Sequence, residues 1–367
     1  MADAKVIPFD DDRSRAGTSP RPSRRRGSGS SRRKGESAVV REVQPLPGLA
    51  RPQDDVRVTR EQQPSQPPQD QPGEQSPSAS PAVGGVVGGL ERRVAGGLSF
   101  LRRRLTGDYE VDDFGYDAEL TDQVLMSLVR PLYEKYFRVE VKGIENIPTD
   151  GGALIVANHS GTLPLDGVMM QVAVHDNHPA GRHLRLLAAD LVFMLPVVNE
   201  LARKAGHTLA CAEDAERLLE RGELVGVMPE GFKGIGKPFS ERYKLQRFGR
   251  GGFVSTALRQ GAPIIPCSIV GSEEIYPMIT DVKLLARVLG LPYFPITPLF
   301  PLAGPVGLIP LPSKWHITFG EPIETADYDE SAADDPMVTF DLTDQVRETI
   351  QQTLYQLLTK RRNMFLG

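Results

Sequence analysis

His159 and Asp166 are the residues of this sequence best suited to move a proton. They bracket the segment Asn158-His159-Ser160-Gly161-Thr162-Leu163-Pro164-Leu165-Asp166, which follows directly on the apolar run Ala153 to Ala157. Imidazole, with an ordinary pKa of about 6.5, is largely neutral near pH 7 and can accept a proton. A carboxylate on its other ring nitrogen would hold the tautomer and stabilise the imidazolium. Gly161 and Pro164 allow the chain to turn back so that the two side chains meet. A plainer reading stands beside this one, in which Asp166 N-caps the helix that follows. Ser160 as a nucleophile is disfavoured, because the Gly-x-Ser-x-Gly elbow is missing.

Two further segments accompany the pair. In Val227-Met228-Pro229-Glu230-Gly231-Phe232-Lys233-Gly234-Ile235-Gly236-Lys237, an apolar strand runs into a Gly-rich loop with one carboxylate and two lysines. Backbone amides freed by glycine, with ammonium groups beside them, suit an anion. The Walker spacing is absent, so this is not a P-loop. Gly261-Ala262-Pro263-Ile264-Ile265-Pro266 reads as a core strand with a proline at each end.

Other candidates read as structural. His175, His178 and His183, with Asp176, have no zinc-site spacing and no thiolate nearby, so a solvated loop and no metal are expected. His207 reads as a satisfied buried histidine, and His316 is given no role. Cys211 and Cys267 sit in apolar surroundings without an activating base and read as small core residues, as in a reducing compartment.

In this order, the three blocks resemble the glycerophospholipid acyltransferase family, which includes lysophosphatidate and glycerol-3-phosphate acyltransferases. The resemblance runs over about residues 138 to 322, where Gly320-Glu321-Pro322-Ile323 matches a late block. It implies His159 as general base and Asp166 as its partner. It places Glu230, Gly231 and Lys233 at the acceptor and leaves Pro266 structural. The implied donor is an acyl thioester, acyl-CoA or acyl-ACP, used as co-substrate with no cofactor. The implied acceptor is a glycerol-phosphate or lysophospholipid hydroxyl. Three departures bear on that acceptor. Six residues separate His159 from Asp166 where the family has four, Lys233 replaces an arginine, and the second-block arginine has no counterpart in Gly206 to Cys211. Arg203 and Lys204 lie just upstream as substitutes. Lysine cannot form arginine's two-pronged grip on phosphate. A neutral lipid alcohol, such as diacylglycerol or a long-chain alcohol, therefore stays open as acceptor. So does a catalytically silent lipid-binding protein.

The elements that must position these residues read as α/β. Apolar strands at Arg138–Val141, Ala153–Ala157, Leu184–Ala188, Leu224–Met228, Pro263–Ile269 and Lys314–Phe319 alternate with helical patterns. The helices fall at 117–136, Asp166–Val174, Pro196–Arg203, Glu213–Arg221, Gly252–Arg259 and Thr343–Lys360, with a loop over Glu230–Arg247. A mixed, largely parallel central sheet flanked by helices is expected. Residues 138–367 form the catalytic domain and 89–137 the amphipathic and packing helices. Residues 1–88, rich in Pro, Ser and Arg, form a disordered tail.

Leu90, Val94, Leu98, Leu101 and Leu105 make an apolar stripe among arginines, suited either to an anionic bilayer or to packing on the domain. Leu284 to Pro312 is apolar, with Arg287 its only charge and seven prolines that bar a long helix from its second half. It is expected to wall a hydrophobic channel or dip into lipid. No secretory signal and no apolar run long enough to span a bilayer are visible. The expectation is a peripheral protein on the cytoplasmic face of the membrane. A net charge of −4 gives no sign of a nucleic-acid partner.

Overall fold

The computed structural model describes residues 100, 102–104, 106–107, 109–249 and 251–366. The expected tail 1–88, and the helix over Leu90–Leu105 apart from part of its last turn, lie outside them.

Three strands form the centre of the fold. β2 (Ala153–Ala157), β5 (Leu224–Val227) and β6 (Ile264–Val270) are buried throughout, so their sequences are apolar on both faces. Ile155 sits between Gly226 of β5 and Ile265 of β6. They belong to a seven-stranded sheet of order β1-β9-β6-β2-β5-β3-β4. Its outer members are β1 (Glu140–Lys142), β3 (Leu184–Ala188), β4 (Thr208–Leu209) and β9 (His316–Phe319). Every pairing is parallel except β6 with β9, so the mixed, largely parallel sheet expected from sequence is observed.

Side-chain alternation along β2 divides the core in two. Ala153, Ile155 and Ala157 face α2 (Leu165–Asn177) and a continuous helix over 118–136, α1, together with Phe137 and Trp315. Phe137 and Trp315 stack with ring centres 4.7 Å apart. Leu154 and Val156 face α5 (Ala212–Glu220), α7 (Gly252–Gln260) and α9 (Pro336–Lys360). α9 begins seven residues before the expected Thr343, because Asp335 caps Met337 N at 2.8 Å and Pro336 suits the first turn.

A short helix not expected from sequence, α3 (Asp190–Met194), precedes the one expected over Pro196–Arg203, which is observed as α4 (Val198–Lys204). The loop over Glu230–Arg247 contains a four-residue helix, α6 (Phe232–Ile235). The prolines do break the apolar segment: after α8 (Lys283–Leu289) it holds only β8 (Pro295–Ile296), which pairs with β7 (Thr280–Asp281), and one 3₁₀ turn. Leu284, Val288, Leu302, Val306 and Ile309 of this segment are exposed. Among the described residues no helix is long and apolar enough to cross a membrane.

His175 and His178 do not lie in a solvated loop. His175 is in the last turn of α2, and His178 is buried with Nε2 3.1 Å from Ile147 O.

Candidate active site

β2 ends at Ala157, and its next residue fixes the turn. Asn158 is fully buried, donating to Ile269 O at 3.0 Å and accepting from Ile269 N at 2.7 Å. That pair ties the exit of β2 to β6, at the carboxyl edge where open α/β sheets bind ligands. The following residues make an irregular bulge. Gly161 and Thr162 take φ of 98° and 65°, a region that a β-branched residue normally avoids. Thr162 is held there by Oγ1 donating to Tyr276 O at 3.3 Å and by the Tyr293 hydroxyl donating to Thr162 O. A side chain at Gly161 would put Cβ 2.7 Å from Ser272 O, so only glycine fits. The bulge absorbs the two additional residues between His159 and Asp166.

The chain then enters α2, and Asp166 falls in its first turn. The structure brings the pair together: His159 Nδ1 lies 2.8 Å from Asp166 Oδ2. A carboxylate only accepts, so the neutral imidazole carries its proton on Nδ1 and presents a lone pair at Nε2. Asp166 is fully buried, and Oδ2 also accepts from Ser160 N at 2.8 Å while Oδ1 accepts from Gly167 N at 2.9 Å. Its place as cap is empty of side-chain bonds: Pro164 holds the N-cap position. The carboxylate thus gives one oxygen to the imidazole and the other to a first-turn amide of α2. His159 Nε2 has no hydrogen bond among the described residues, and the side chain is 14% exposed.

The Glu230 loop packs on the back of this turn. Glu230 is buried, and its Oε1 accepts the His159 backbone N–H at 2.9 Å. Oε2 accepts from Gln246 N at 2.6 Å and lies 3.5 Å from Lys237 Nζ. Lys237, read from sequence as an anion-binding cation, is buried between Glu230 and Glu273, at 3.1 Å from the latter, and also donates to Lys244 O. Burial pushes the Glu273 carboxyl up to about 7. Lys233 is exposed at the start of α6, and Gly231 before it takes φ 52°, ψ −142°. Gly234 lets α6 approach closely, since a Cβ there would stand 2.6 Å from His159 O.

Arg203 and Lys204 are occupied elsewhere. Arg203 donates to Asn199 at 3.0 Å and lies over the Phe193 ring, and Lys204 pairs with Glu200 at 3.0 Å. Asn158, Thr162, Tyr293 and Glu273 were missed by sequence reasoning. Asn158 had a signal, as a polar residue ending an apolar strand.

Residues 138–270, which hold the His159 turn, the Glu230 loop and β6, match the family described as Acyltransferase. An uncharacterized protein of Mycobacterium tuberculosis (strain ATCC 25618 / H37Rv) is 70% identical over 278 residues, covering 76% of this chain and 78% of its own. The chain belongs to the glycerophospholipid acyltransferase family. Like other members of that family, it is an O-acyltransferase. A more distant relative, the "DGAT1/2-independent enzyme synthesizing storage lipids" of Bos taurus, is 26% identical over 215 residues, 58% of each chain. The crystal structure of the 1-acyl-sn-glycerophosphate acyltransferase of Thermotoga maritima superposes with TM-score 0.44 at 19% identity, covering 74% of this chain and 91% of the other.

Proposed function

We propose that this acyltransferase moves a fatty acyl group from acyl-CoA or acyl-ACP to a hydroxyl of a glycerol-phosphate or lysophospholipid acceptor, with His159 as general base. The observation that carries the reading is the 2.8 Å contact of His159 Nδ1 with buried Asp166, which leaves Nε2 unbonded. The acceptor hydroxyl donates to Nε2 and attacks the thioester carbonyl as the imidazole takes its proton. The new C–O bond forms, the C–S bond breaks, and the leaving thiolate takes the proton from the imidazolium. Asp166 stabilises that imidazolium. Backbone amides of the His159 turn or the Glu230 loop stabilise the oxyanion.

Glu230 serves as a brace in this scheme, because both its oxygens are taken by the protein. Gly231 and Lys233 lie on the exposed side of the loop, where an acceptor phosphate would meet one ammonium group. The exposed apolar residues of the segment from Leu284 to Ile309 support peripheral contact with a bilayer, which this reading assigns to the cytoplasmic face.

A second acceptor class, a neutral lipid alcohol, has its own support. Lys237 is neutralised by two buried carboxylates, and the Bos taurus relative is named for storage lipids. The test is turnover of an acyl thioester with lysophosphatidate, glycerol 3-phosphate, diacylglycerol and a long-chain alcohol, by the wild type, His159→Ala and Asp166→Asn. The expected result is turnover on a phosphorylated acceptor, reduced about 10²–10⁴-fold in either variant. Turnover on diacylglycerol alone would select the second acceptor. Undiminished activity of His159→Ala would remove the general base.

A further inference from the structure

At the far end of α2 from Asp166, three donor groups from three elements converge. Asp122 comes from α1, His175 from the last turn of α2, and His183 from the residue before β3. His175 Nε2 lies 3.2 Å, and His183 Nε2 3.4 Å, from Asp122 Oδ1. One ligand atom from each lies within 4.8 Å of the others. Two ligands held about 2.0–2.1 Å from a tetrahedral zinc ion stand roughly 3.4 Å apart, so these contacts have the length of tetrahedron edges.

The hydrogen bonding points the same way. Asp122 Oδ1 is shielded from solvent and meets no protein donor in good hydrogen-bond alignment, although two imidazoles stand 3.2 and 3.4 Å from it. His175 Nδ1 lies 2.8 Å from Asp176 Oδ1, and Arg130 grips that carboxylate with two bonds of 2.8 and 2.7 Å. The neutral His175 ring therefore has its proton on Nδ1 and turns the Nε2 lone pair toward an anionic oxygen. That approach is repulsive unless a cation lies between them. A carboxylate orienting the distal nitrogen of a ligand histidine is the usual outer support of a zinc site. The competing occupant is a proton on His175 Nε2, because neighbouring Asp122 and then Asp176 raise the pKa of that ring.

We propose that Asp122, His175 and His183 bind a divalent transition-metal ion, zinc above all, as a clip joining α1 to the α2–β3 unit. Two imidazoles and one carboxylate suit zinc and leave the fourth position for water. His175 is nine residues along α2 from Asp166, about 13 Å at 1.5 Å per residue, so the ion lies outside the acyl-transfer chemistry. The spacing of the histidines alone gave no hint of it, because Asp122 lies 53 positions before His175.

The test uses the full chain, stripped with a chelator and dialysed, then titrated with zinc against a chromophoric competitor. Bound metal is counted after gel filtration, and melting is followed with and without zinc. One equivalent is expected to be retained and to raise Tm. Asp122→Asn and the double variant His175→Gln/His183→Gln should bind at least about tenfold more weakly. Asp176→Asn, which only positions His175, should cost about 10–100-fold in affinity. Asp122→Asn keeps the side-chain shape, so it decides the matter if the double variant does not fold. Zinc bound equally well by wild type and Asp122→Asn, or not retained by the wild type, overturns the proposal in favour of a proton-held cluster.

Discussion

Gly234→Ala is a test of how tightly the Glu230 loop sets the position of His159. The new Cβ would stand 2.6 Å from His159 O, 2.8 Å from Glu230 Cβ and 3.0 Å from His159 Cβ. Ordinary contact begins near 3.4 Å, so α6 and the His159 backbone must separate by about 0.8 Å. Two of the three neighbouring atoms belong to His159, and the third to the residue that accepts its backbone N–H. The separation therefore moves the imidazole or stretches the 2.9 Å bond from His159 N to Glu230. A misplacement of about 1 Å at a catalytic group costs on the order of 10²-fold. We expect kcat to fall about 30–100-fold with a smaller change in KM. Overpacking should lower stability by about 1–3 kcal/mol, read by urea unfolding. Gly252→Ala is the control, since its Cβ meets nothing within 4 Å, and it should keep both kcat and stability. If Gly234→Ala retains kcat within twofold of wild type, close packing of the loop does not position His159 and the reasoning fails.

Three other outcomes are expected. Asn158→Ala should cost about 2–4 kcal/mol in urea unfolding, because it leaves Ile269 N–H and C=O buried without partners; a loss under 1 kcal/mol would mean that water or relaxation replaces them. Burial pushes the pKa of His207, whose Nε2 lies 3.1 Å from Gln171 Oε1, down to about 4. The unfolded chain then binds the extra proton between pH 6.5 and 4, so stability present above pH 6.5 is lost on acidification, by roughly 3 kcal/mol. His207→Gln should flatten that slope in unfolding measured from pH 7 to 4.5, and an unchanged slope would acquit His207. Leu302→Lys with Val306→Lys should weaken sedimentation with anionic phospholipid vesicles at least about tenfold while leaving the fold intact by circular dichroism; equal binding would place the membrane contact elsewhere.

Much of the scaffold is legible in the sequence for a simple reason. β2, β5 and β6 are continuous apolar runs, and α5 and α7 repeat at helical spacing, so burial alone specifies them. β4, β7 and β8 are two residues long, too short for any period to register. α6 lies in a segment carrying three glycines and reads as loop, and it is helical where Gly234 lets it lie against His159. The start of α9 was signalled by Asp335-Pro336, but the apolar periodicity from Thr343 onward masked it.

The candidate site divides the same way. Residue types and their order along the chain singled out His159, Asp166, Glu230, Gly231 and Lys233, because proton transfer and anion binding need particular functional groups. Which of them touch was decided by the fold. The bulge at Gly161 and Thr162 brings Asp166 to the imidazole, and Glu273, 36 positions after Lys237, takes up that ammonium in the interior. Asp122 meets His175 and His183 only because α1 packs beside α2 and β3. Local sequence carries chemistry and periodicity, whereas the partner of a buried charge is chosen by whichever distant segment the packing places within about 3 Å of it.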